Sequence, residues 1–412
     1  MAKTPLDPAG RGARVASPTH TVAPAAVSSA RGHSSPLSTI GKEIPLPLPV
    51  PDWSKPIILL LAALAAWFGV RTRMESRRAR QLERQRVTLL EDLDAMQAAL
   101  VPEIPARVGG LAVSVAYRPA EGPAAGGDFY DVFVPERGRV AIILGDVAGH
   151  GHGALEQAAL TRYTLRAYLQ AGMEPRAAIA LTGRVLARPS AEQFATVIVG
   201  MYSAREGLLT FASAGHPPPI LHGLETREPL KACASPPIGW TVPTGRRQTH
   251  VSLPPGAVVC FFSDGLIEAR SRLGLLGRGR LSEMLGELGA RPNAAKLLAR
   301  VRAATVATPD DMAACILVSE VAAIGTTVHI EELELDEATL ENDQARRFLE
   351  TCQVPTGALE RALYQASDML ATRGVALLRV TFAAGIGSVE VSPATLPPVT
   401  AGARRSQPVG TR

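Results

Sequence analysis

The pattern of apolar and polar positions divides the chain into segments of different character. An uncharged apolar run occupies residues 56–70, and the stretch 71–100 that follows contains neither Gly nor Pro and is typical of a helix. Further along, short β-rich runs alternate with turn residues, and longer helical patterns interrupt them. This succession predicts an α+β layered sandwich rather than a doubly wound parallel sheet. The predicted strands are 111–117, 140–144, 196–202, 208–212 and 258–262, and the predicted helices are 154–171, 174–188 and 293–307.

The apolar run 56–70 is a candidate membrane span. As a helix it would cover about 22 Å, at about 1.5 Å per residue, against a hydrocarbon core of about 30 Å. Snorkelling of Lys55 and Arg71, with Trp53 and Trp67 near the interfaces, would make up the difference. More than 50 residues precede the run, which argues against a signal peptide. We therefore expect a single transmembrane helix, with an interfacial anchor as the alternative.

Charge is distributed unevenly along the chain, whose net charge is +5. Residues 71–86 contain seven arginines and two glutamates, whereas residues 87–403 carry a net charge of −6. By the positive-inside rule, the arginine cluster predicts that residues 71 onward are cytoplasmic. An acidic globular body offers no footprint for a polyanion, so nucleic acid is not expected as a partner.

A 4,3 spacing of apolar residues runs through the predicted helix after the membrane run. Arg86 takes one position of this seam, and the apolar positions are Leu82, Leu89, Leu93, Met96 and Leu100. Such a seam predicts a short parallel coiled coil and hence a homodimer. The alternative is a single amphipathic helix packed on the following domain.

The four cysteines are widely scattered and form no close pair. Neither a zinc site nor a disulfide framework is indicated, and a reducing compartment is the simplest interpretation. The cysteines are Cys233, Cys260, Cys315 and Cys352.

Acidic residues gather where the predicted strands begin or end. Carboxylates that are distant in sequence can converge at one end of a sandwich, but they repel one another unless a divalent cation lies between them. An all-oxygen set predicts Mg²⁺ or Mn²⁺. The four motifs are Gly126-Gly127-Asp128-Phe129-Tyr130-Asp131, Gly145-Asp146-Val147-Ala148-Gly149-His150-Gly151, Ser263-Asp264-Gly265-Leu266-Ile267-Glu268 and Asp310-Asp311-Met312.

A pair of hard cations in such a site would have a defined chemistry. Two cations about 3.5–4 Å apart would generate hydroxide from a bridging water and clamp a phosphoryl group for in-line attack, without a side-chain nucleophile. The glycines near Asp146 would let a backbone carbonyl approach a metal closely. His150, His152 and His216 are the alternative, nitrogen ligands, but loop histidines are more often solvated or hydrogen bonded.

With four further motifs, these acidic motifs make residues 87–320 resemble one phosphatase family. The further motifs are Leu100-Val101-Pro102, Tyr117-Arg118-Pro119, Phe194-Ala195-Thr196 and Ser213-Ala214-Gly215-His216-Pro217. The family is the SpoIIE/RsbU-like branch of the metal-dependent, type 2C serine/threonine protein phosphatases. The resemblance implies a four-layer α-β-β-α sandwich of two antiparallel sheets, with two Mn²⁺ or Mg²⁺ ions at one end.

The resemblance also implies roles for individual residues. Asp146 would bridge both cations and act in catalysis with the activated water, and the Val147 carbonyl would contact one cation. Asp264 and Asp310 would complete the coordination of the second cation, and Asp128 would bind the first cation directly or through water. Asp131 and Asp311 remain candidate additional ligands; between Asp310 and Asp311 we favour Asp310, the first of the acidic pair.

The pattern of apolar and polar residues in 326–392 predicts a small α+β unit. Its β-α-α-β-β order resembles the first part of a GHKL-type anti-sigma-factor kinase domain. Gln365 and Met369 stand near the places where that family carries an Asn and an acidic residue, so we expect a partner-docking or dimerisation module rather than a nucleotide site. Its predicted elements are a strand at 326–335, helices at 337–352 and 356–373, and a hairpin of 375–382 and 387–392.

The expectation is therefore a membrane-anchored cytoplasmic phosphatase that acts on phosphoserine or phosphothreonine of a protein. The resemblance suggests a phosphorylated STAS-type anti-sigma-factor antagonist, in a partner-switching pathway, as the substrate. The alternative is a catalytically weak scaffold with the same fold. The predicted division is a Pro-rich disordered tail at 1–55, the membrane helix at 56–70, a basic coiled-coil linker at 71–100, the phosphatase domain at 101–320, the α+β unit at 326–392 and a disordered tail at 393–412.

Overall fold

The computed structural model separates the chain into two compact units, residues 1–77 and residues 78–412. The predicted tails lie almost wholly outside the part of the chain that the structure describes. Within 78–100 the backbone is described, but most of the side chains are not. The described residues are 55–100, 102–119, 127–149, 151–187, 194–224, 234–272, 274–306, 310–320, 328–383 and 386–394.

Helix α1 spans Lys55–Leu100 and contains the predicted membrane run. Its stretch Ile57–Arg77 has a mean hydropathy of 1.6 and no buried residue, and by length and composition it is able to cross a membrane. The Arg71 guanidinium lies 5.4 Å from the centroid of the Trp67 ring and pairs with Glu75 at 3.0 Å. The side chains of the predicted coiled-coil seam lie outside the described residues, so the coiled coil stays a prediction.

The remaining elements alternate strands with helix pairs, as the sequence pattern predicts. The strands are β1 Arg107–Val108, β2 Leu111–Arg118, β3 Phe129–Phe133, β4 Arg139–Val147, β5 Ala195–Ser203, β6 Leu208–Ala214, β7 Ile220–His222, β8 Ala234–Ser235, β9 Arg247–Ser252, β10 Val258–Phe262, β11 Arg270–Ser271, β12 Gly274–Leu275, β13 Met312–Ser319, β14 His329–Leu335, β15 Ala376–Ala383 and β16 Ile386–Ser392. The helices are α2 His152–Gln170, α3 Pro175–Leu186, α4 Gly265–Glu268, α5 Gly277–Gly286, α6 Ala294–Ala304, α7 Glu337–Glu341, α8 Gln344–Thr351 and α9 Thr356–Arg373.

Two sheets face each other and form the middle layers of the fold. Among the described residues, one sheet has five strands in the order β1-β2-β13-β10-β7, and the other has nine, in the order β16-β15-β14-β9-β6-β5-β4-β3 with β8 beside β6. Every pairing is antiparallel except that of β6 with β8. Helices α2 and α3 pack on the nine-stranded sheet, and α5 and α6 flank the five-stranded sheet. The predicted α-β-β-α sandwich is confirmed.

The apolar core lies in the three spaces between these layers. Strand β10 shows how one strand serves two of them, because its side chains alternate between faces. Phe261 packs between the sheets with Tyr202 and Phe211, whereas Cys260 and Phe262 pack under α5 and α6. The run was recognisable as a strand because it is apolar on both faces, as a buried central strand must be.

The C-terminal segment joins the larger sheet. Its elements match the predicted β-α-α-β-β order, with the predicted helix 337–352 divided into α7 and α8. Strand β14 pairs antiparallel with β9, from His329 opposite Val251 to Leu333 opposite Arg247. Hydrogen bonding therefore continues across the predicted boundary between 320 and 326, and helices α7–α9 pack on the added strands β14–β16.

Candidate metal centre

The acidic motifs occupy the ends of paired strands. Asp146 lies near the end of β4, and Asp128 comes just before β3, whose Phe129 pairs with Gly145. Asp264 follows β10, and Asp310 precedes β13, which pairs with β10. Because these ends of the two facing sheets meet, Asp146, Asp264 and Asp310 each place one carboxylate oxygen within 4.8 Å of the others.

Asp128 is buried beside this cluster. Its Oδ2 atom has no hydrogen-bond partner among the described residues. Burial, and then the nearby Asp146 and Asp311, raise the pKa of Asp128 well above its usual value. An orphaned, buried carboxylate oxygen beside three others is an acceptor that a cation would satisfy.

Charge repulsion extends through the whole cluster. Burial, followed by Asp264 and Asp310, raises the pKa of Asp146 to about 7. Burial and then Asp310 also raise the pKa of Asp264. Hard divalent cations bind such oxygen sets, so the donor set fits Mg²⁺ or Mn²⁺.

Two glycines allow the chain segments of the site to approach one another. A Cβ atom on Gly127 would lie 2.2 Å from the carbonyl oxygen of Val147 and 2.8 Å from Oδ1 of Asp146. A Cβ atom on Gly265 would lie 1.9 Å from the carbonyl oxygen of Asp311. No side chain fits at either position, so both glycines are required by close packing of the backbone at the site.

The structure distinguishes the two members of the acidic pair. Asp310 is exposed and contributes an oxygen to the carboxylate cluster. Asp311 is buried, and the Tyr117 hydroxyl donates a 2.8 Å hydrogen bond to its Oδ2. The Asp311 amide donates to Oδ1 of Asp310 at 2.8 Å. Asp310 therefore contributes to the carboxylate cluster, whereas Asp311 lies beside it in a hydrogen bond with Tyr117, and the choice of Asp310 as the ligand stays a prediction. Tyr117 belongs to a recognised motif, but nothing in its spacing indicated this bond.

His216 is held by two neighbours. Its Nε2 lies 3.1 Å from the Phe262 carbonyl and its Nδ1 lies 2.9 Å from Oγ1 of Thr196. Burial lowers the pKa of His216 to about 4. The ring is thus neutral at pH 7, with Nε2 donating to the carbonyl and Nδ1 accepting from the hydroxyl, so neither nitrogen is available to a metal. His152 is exposed at the first residue of α2, and His150 lies outside the described residues.

Asp131 does not join the carboxylate cluster. It is buried, and its Oδ2 pairs with Arg162 at 3.2 Å and with Arg166 at 2.7 Å, both on α2. Asp128 and Asp131 are three residues apart, an odd spacing that places them on opposite faces of extended chain. That alternation was readable in the sequence, and the expectation that Asp131 adds a ligand is corrected: its carboxylate faces the helices.

The fold and the site together define a class: an α-β-β-α sandwich with a carboxylate cluster at one end of its paired sheets. Comparison with known proteins narrows this class. Residues 136–319 match the family model described as "Stage II sporulation protein E (SpoIIE)". This segment is therefore similar to the SpoIIE family, which the sequence motifs also indicated.

Individual relatives have low sequence identity to the chain. It is 27% identical over 164 residues to the phosphoserine phosphatase RsbU of Bacillus subtilis, covering 39% of this chain and 48% of that protein. It is 25% identical over 202 residues to protein IcfG of Synechocystis, covering 42% and 32% of the two chains. The chain thus spans about half or less of the curated relatives it matches. Among solved structures, the SiaA-PP2C domain of Pseudomonas aeruginosa is 22% identical, with a TM-score of 0.49 and coverage of 57% of this chain and 98% of that one.

Proposed function

We propose that this protein is a metal-dependent phosphatase that hydrolyses phosphoserine or phosphothreonine in a protein. The observation that carries the proposal is the convergence of Asp146, Asp264 and Asp310 within 4.8 Å, beside the buried, unsatisfied Asp128. The similarity of 164 residues of the chain to a curated phosphoserine phosphatase supports it.

Each carboxylate has a place in this proposal. Asp146, Asp264 and Asp310 would hold two divalent cations, Mn²⁺ or Mg²⁺, with Asp128 and the Val147 carbonyl completing the set. Such cations, when bound, neutralise a phosphoryl group and lower the pKa of a coordinated water. Asp310 is exposed, so the cluster is open to a bulky substrate.

The substrate is a regulatory phosphoprotein. We propose the class that the sequence resemblance implies, a phosphorylated anti-sigma-factor antagonist of the STAS type. Phosphoserine on a folded protein projects from its surface, and an open carboxylate cluster at the end of a sandwich is accessible to such a surface.

The anchor and the oligomeric state belong to the same proposal. The stretch Ile57–Arg77 would hold the protein in the cell membrane as a single span, with the phosphatase domain in the cytoplasm. The seam between Leu82 and Leu100 would pair two copies, so the membrane-anchored form would be a homodimer.

Hydrolysis of p-nitrophenyl phosphate by the full chain tests the activity. We expect turnover that requires Mn²⁺ or Mg²⁺, is abolished by a chelator and is lost in Asp146→Asn, while Asp343→Asn on the added segment retains it. The full chain is used because a fragment ending at residue 320 would lack β14, the partner of β9. Absence of cation-dependent turnover in the folded wild-type protein would contradict the proposal and favour a scaffold role.

A further inference from the structure

A groove lies at the same end of the nine-stranded sheet as the carboxylate cluster. Strands β4 and β14 end there, at Val147 and Leu335, and β9 and β15 begin there. The cavity has a volume of about 260 Å³. Helix α3, the loop 240–246, and the residues Asp336, Gly374 and Val375 of the added C-terminal segment line it.

A continuous set of contacts joins the groove to the metal centre. The amide of Ala148, two residues after Asp146, donates to the Phe194 carbonyl at 2.9 Å. The Phe194 ring packs edge-on against Trp240, with ring centroids 5.6 Å apart. Trp240 in turn lines the groove. Phe194 and Trp240 therefore connect the carboxylate cluster to the groove.

The walls of the groove are held in place by close packing and by an ion pair. A Cβ atom on Gly183 of α3 would lie 2.6 Å from Cγ2 of Thr244, and one on Gly245 would lie 2.5 Å from the Ala180 amide nitrogen. Arg246 donates a hydrogen bond to Asp336, which caps α7. The loop therefore contacts both α3 and the C-terminal segment, and these contacts fix the position of the walls of the cavity.

The groove combines apolar surface with an exposed arginine, Arg184, that has no carboxylate partner in the part of the chain that the structure describes. Trp240 is 40% exposed and Val242 is 52% exposed. Arg246 is paired with Asp336, and the other acidic lining residue, Glu334, is paired with Arg176. Arg184 is exposed on α3 and has no carboxylate partner among the described residues. The complementary ligand is a segment with an apolar side chain and an acidic one.

We propose that this groove binds the polypeptide that flanks the phosphorylated residue of the substrate, through an apolar and an acidic side chain. The inference rests on the proposed phosphatase function. Four strand spacings of about 4.8 Å separate β4 from β14, a span of about 19 Å, which extended chain crosses in about six residues. The recognised side chains therefore lie within about six residues of the phosphoserine, and the C-terminal segment contributes to specificity.

The test compares two phosphoserine peptides of 15 residues with the small ester p-nitrophenyl phosphate, on the full chain with Mn²⁺. One peptide carries Leu three and four residues, and Glu five and six residues, to either side of the phosphoserine; the other carries Ala and Lys at those places. We expect kcat/KM to favour the Leu/Glu peptide by about tenfold or more. Arg184→Glu and Val242→Asp should each reduce this ratio severalfold, with the rate on the small ester within about twofold of wild type.

Matched controls carry the same changes at the opposite end of the sheet. Arg205→Glu lies in the β5–β6 turn, and Val134→Asp, at a site 50% exposed, follows β3; both should keep the wild-type ratio. If the small ester is still hydrolysed, either of two results would overturn the proposed peptide binding by the groove and leave the phosphatase function standing. One is equal rates on the two peptides in the wild type, and the other is a peptide ratio that neither groove variant changes. Loss of hydrolysis of all three esters would overturn the phosphatase function and this inference with it.

Discussion

The Tyr117 hydroxyl donates a 2.8 Å hydrogen bond to the buried carboxylate of Asp311, while the adjacent Asp310 remains exposed within the carboxylate cluster. Two neighbouring acids thus have different surroundings, although the sequence presents them as an equivalent pair.

Substitution should separate the two acids. Asp310→Ala should abolish phosphatase turnover with little loss of stability, because the side chain removed is the proposed ligand and is exposed. Tyr117→Phe should lower the free energy of unfolding by about 1–3 kcal/mol, because the buried Asp311 carboxyl loses the hydrogen bond that Tyr117 donates. Chemical denaturation and p-nitrophenyl phosphate kinetics measure the two effects. Full activity in Asp310→Ala would transfer the ligand role to Asp311.

The unfolding free energy of the cation-free protein should depend on pH through Asp146. Its pKa rises from 3.8 to about 7 on folding, mainly by burial and then by repulsion from Asp264. The folded state therefore binds the proton of the Asp146 carboxyl more tightly than the unfolded state does. The resulting contribution to the free energy of unfolding is fully present below about pH 4 and is lost as the pH rises through about 7.

Comparison with Asp146→Asn isolates this contribution. Without cations, the wild type should become less stable than the variant by a few kcal/mol between about pH 4 and 8. Saturating Mn²⁺ at pH 8 should stabilise the wild type more than the variant. Urea denaturation measures the difference in the free energy of unfolding between the wild type and the variant, with and without Mn²⁺. If the wild type instead gained stability relative to the variant across this pH range without cations, the raised pKa of Asp146 would be wrong.

Gly127, which lies against the backbone of Val147, should tolerate no side chain. Gly127→Ala should destabilise the protein by about 1–3 kcal/mol, because its Cβ has to displace backbone, and should weaken Mn²⁺ activation. Gly279→Ala in α5 is the matched control, since nothing lies within 4 Å of that Cβ. The control should be neutral or stabilising by up to about 1 kcal/mol. Similar melting temperatures for the two variants would argue against the close approach.

Asp131 should behave as a structural residue. Asp131→Ala leaves the buried Arg162 without its carboxylate, which should cost about 3–5 kcal/mol of stability. The exposed pair of Glu136 with Arg139 provides a control, and Glu136→Ala should change stability by less than about 1 kcal/mol. The Mn²⁺ concentration for half-maximal activity of the folded Asp131→Ala protein should stay near the wild-type value; a large increase would return Asp131 to the metal site.

The apolar stretch of α1 should hold the full chain in membranes. Hydrophobic insertion is insensitive to ionic screening, so the protein should remain in the pellet after washes with high salt and carbonate. A variant with Leu60→Arg and Leu64→Arg should be released by carbonate. Release of the wild-type protein by salt alone would show that the arginines, rather than the apolar stretch, make the attachment.

Much of the fold was predictable because it depends on local pattern. The short, β-rich run Val258–Phe262 predicted a strand, and the helical period of 174–188 predicted α3. The order of the acidic motifs along the chain, around Asp128, Asp146, Asp264 and Asp310, also indicated the family that they resemble. The glycines in these motifs were informative because close approach of the backbone requires glycine at positions such as Gly127.

Tertiary structure alone decided which groups meet. The pairing of β9 with β14 joins residues such as Arg247 and Leu333 across a long sequence separation, and no local pattern specifies which edge strand accepts another. The same holds for the bond between Tyr117 and Asp311, the neutral His216 between Thr196 and Phe262, and the groove beside Trp240. Local sequence determined the strands and the residues that can bear the chemistry; the packing of the two sheets determined which carboxylates converge, because distances between remote segments depend on the whole core.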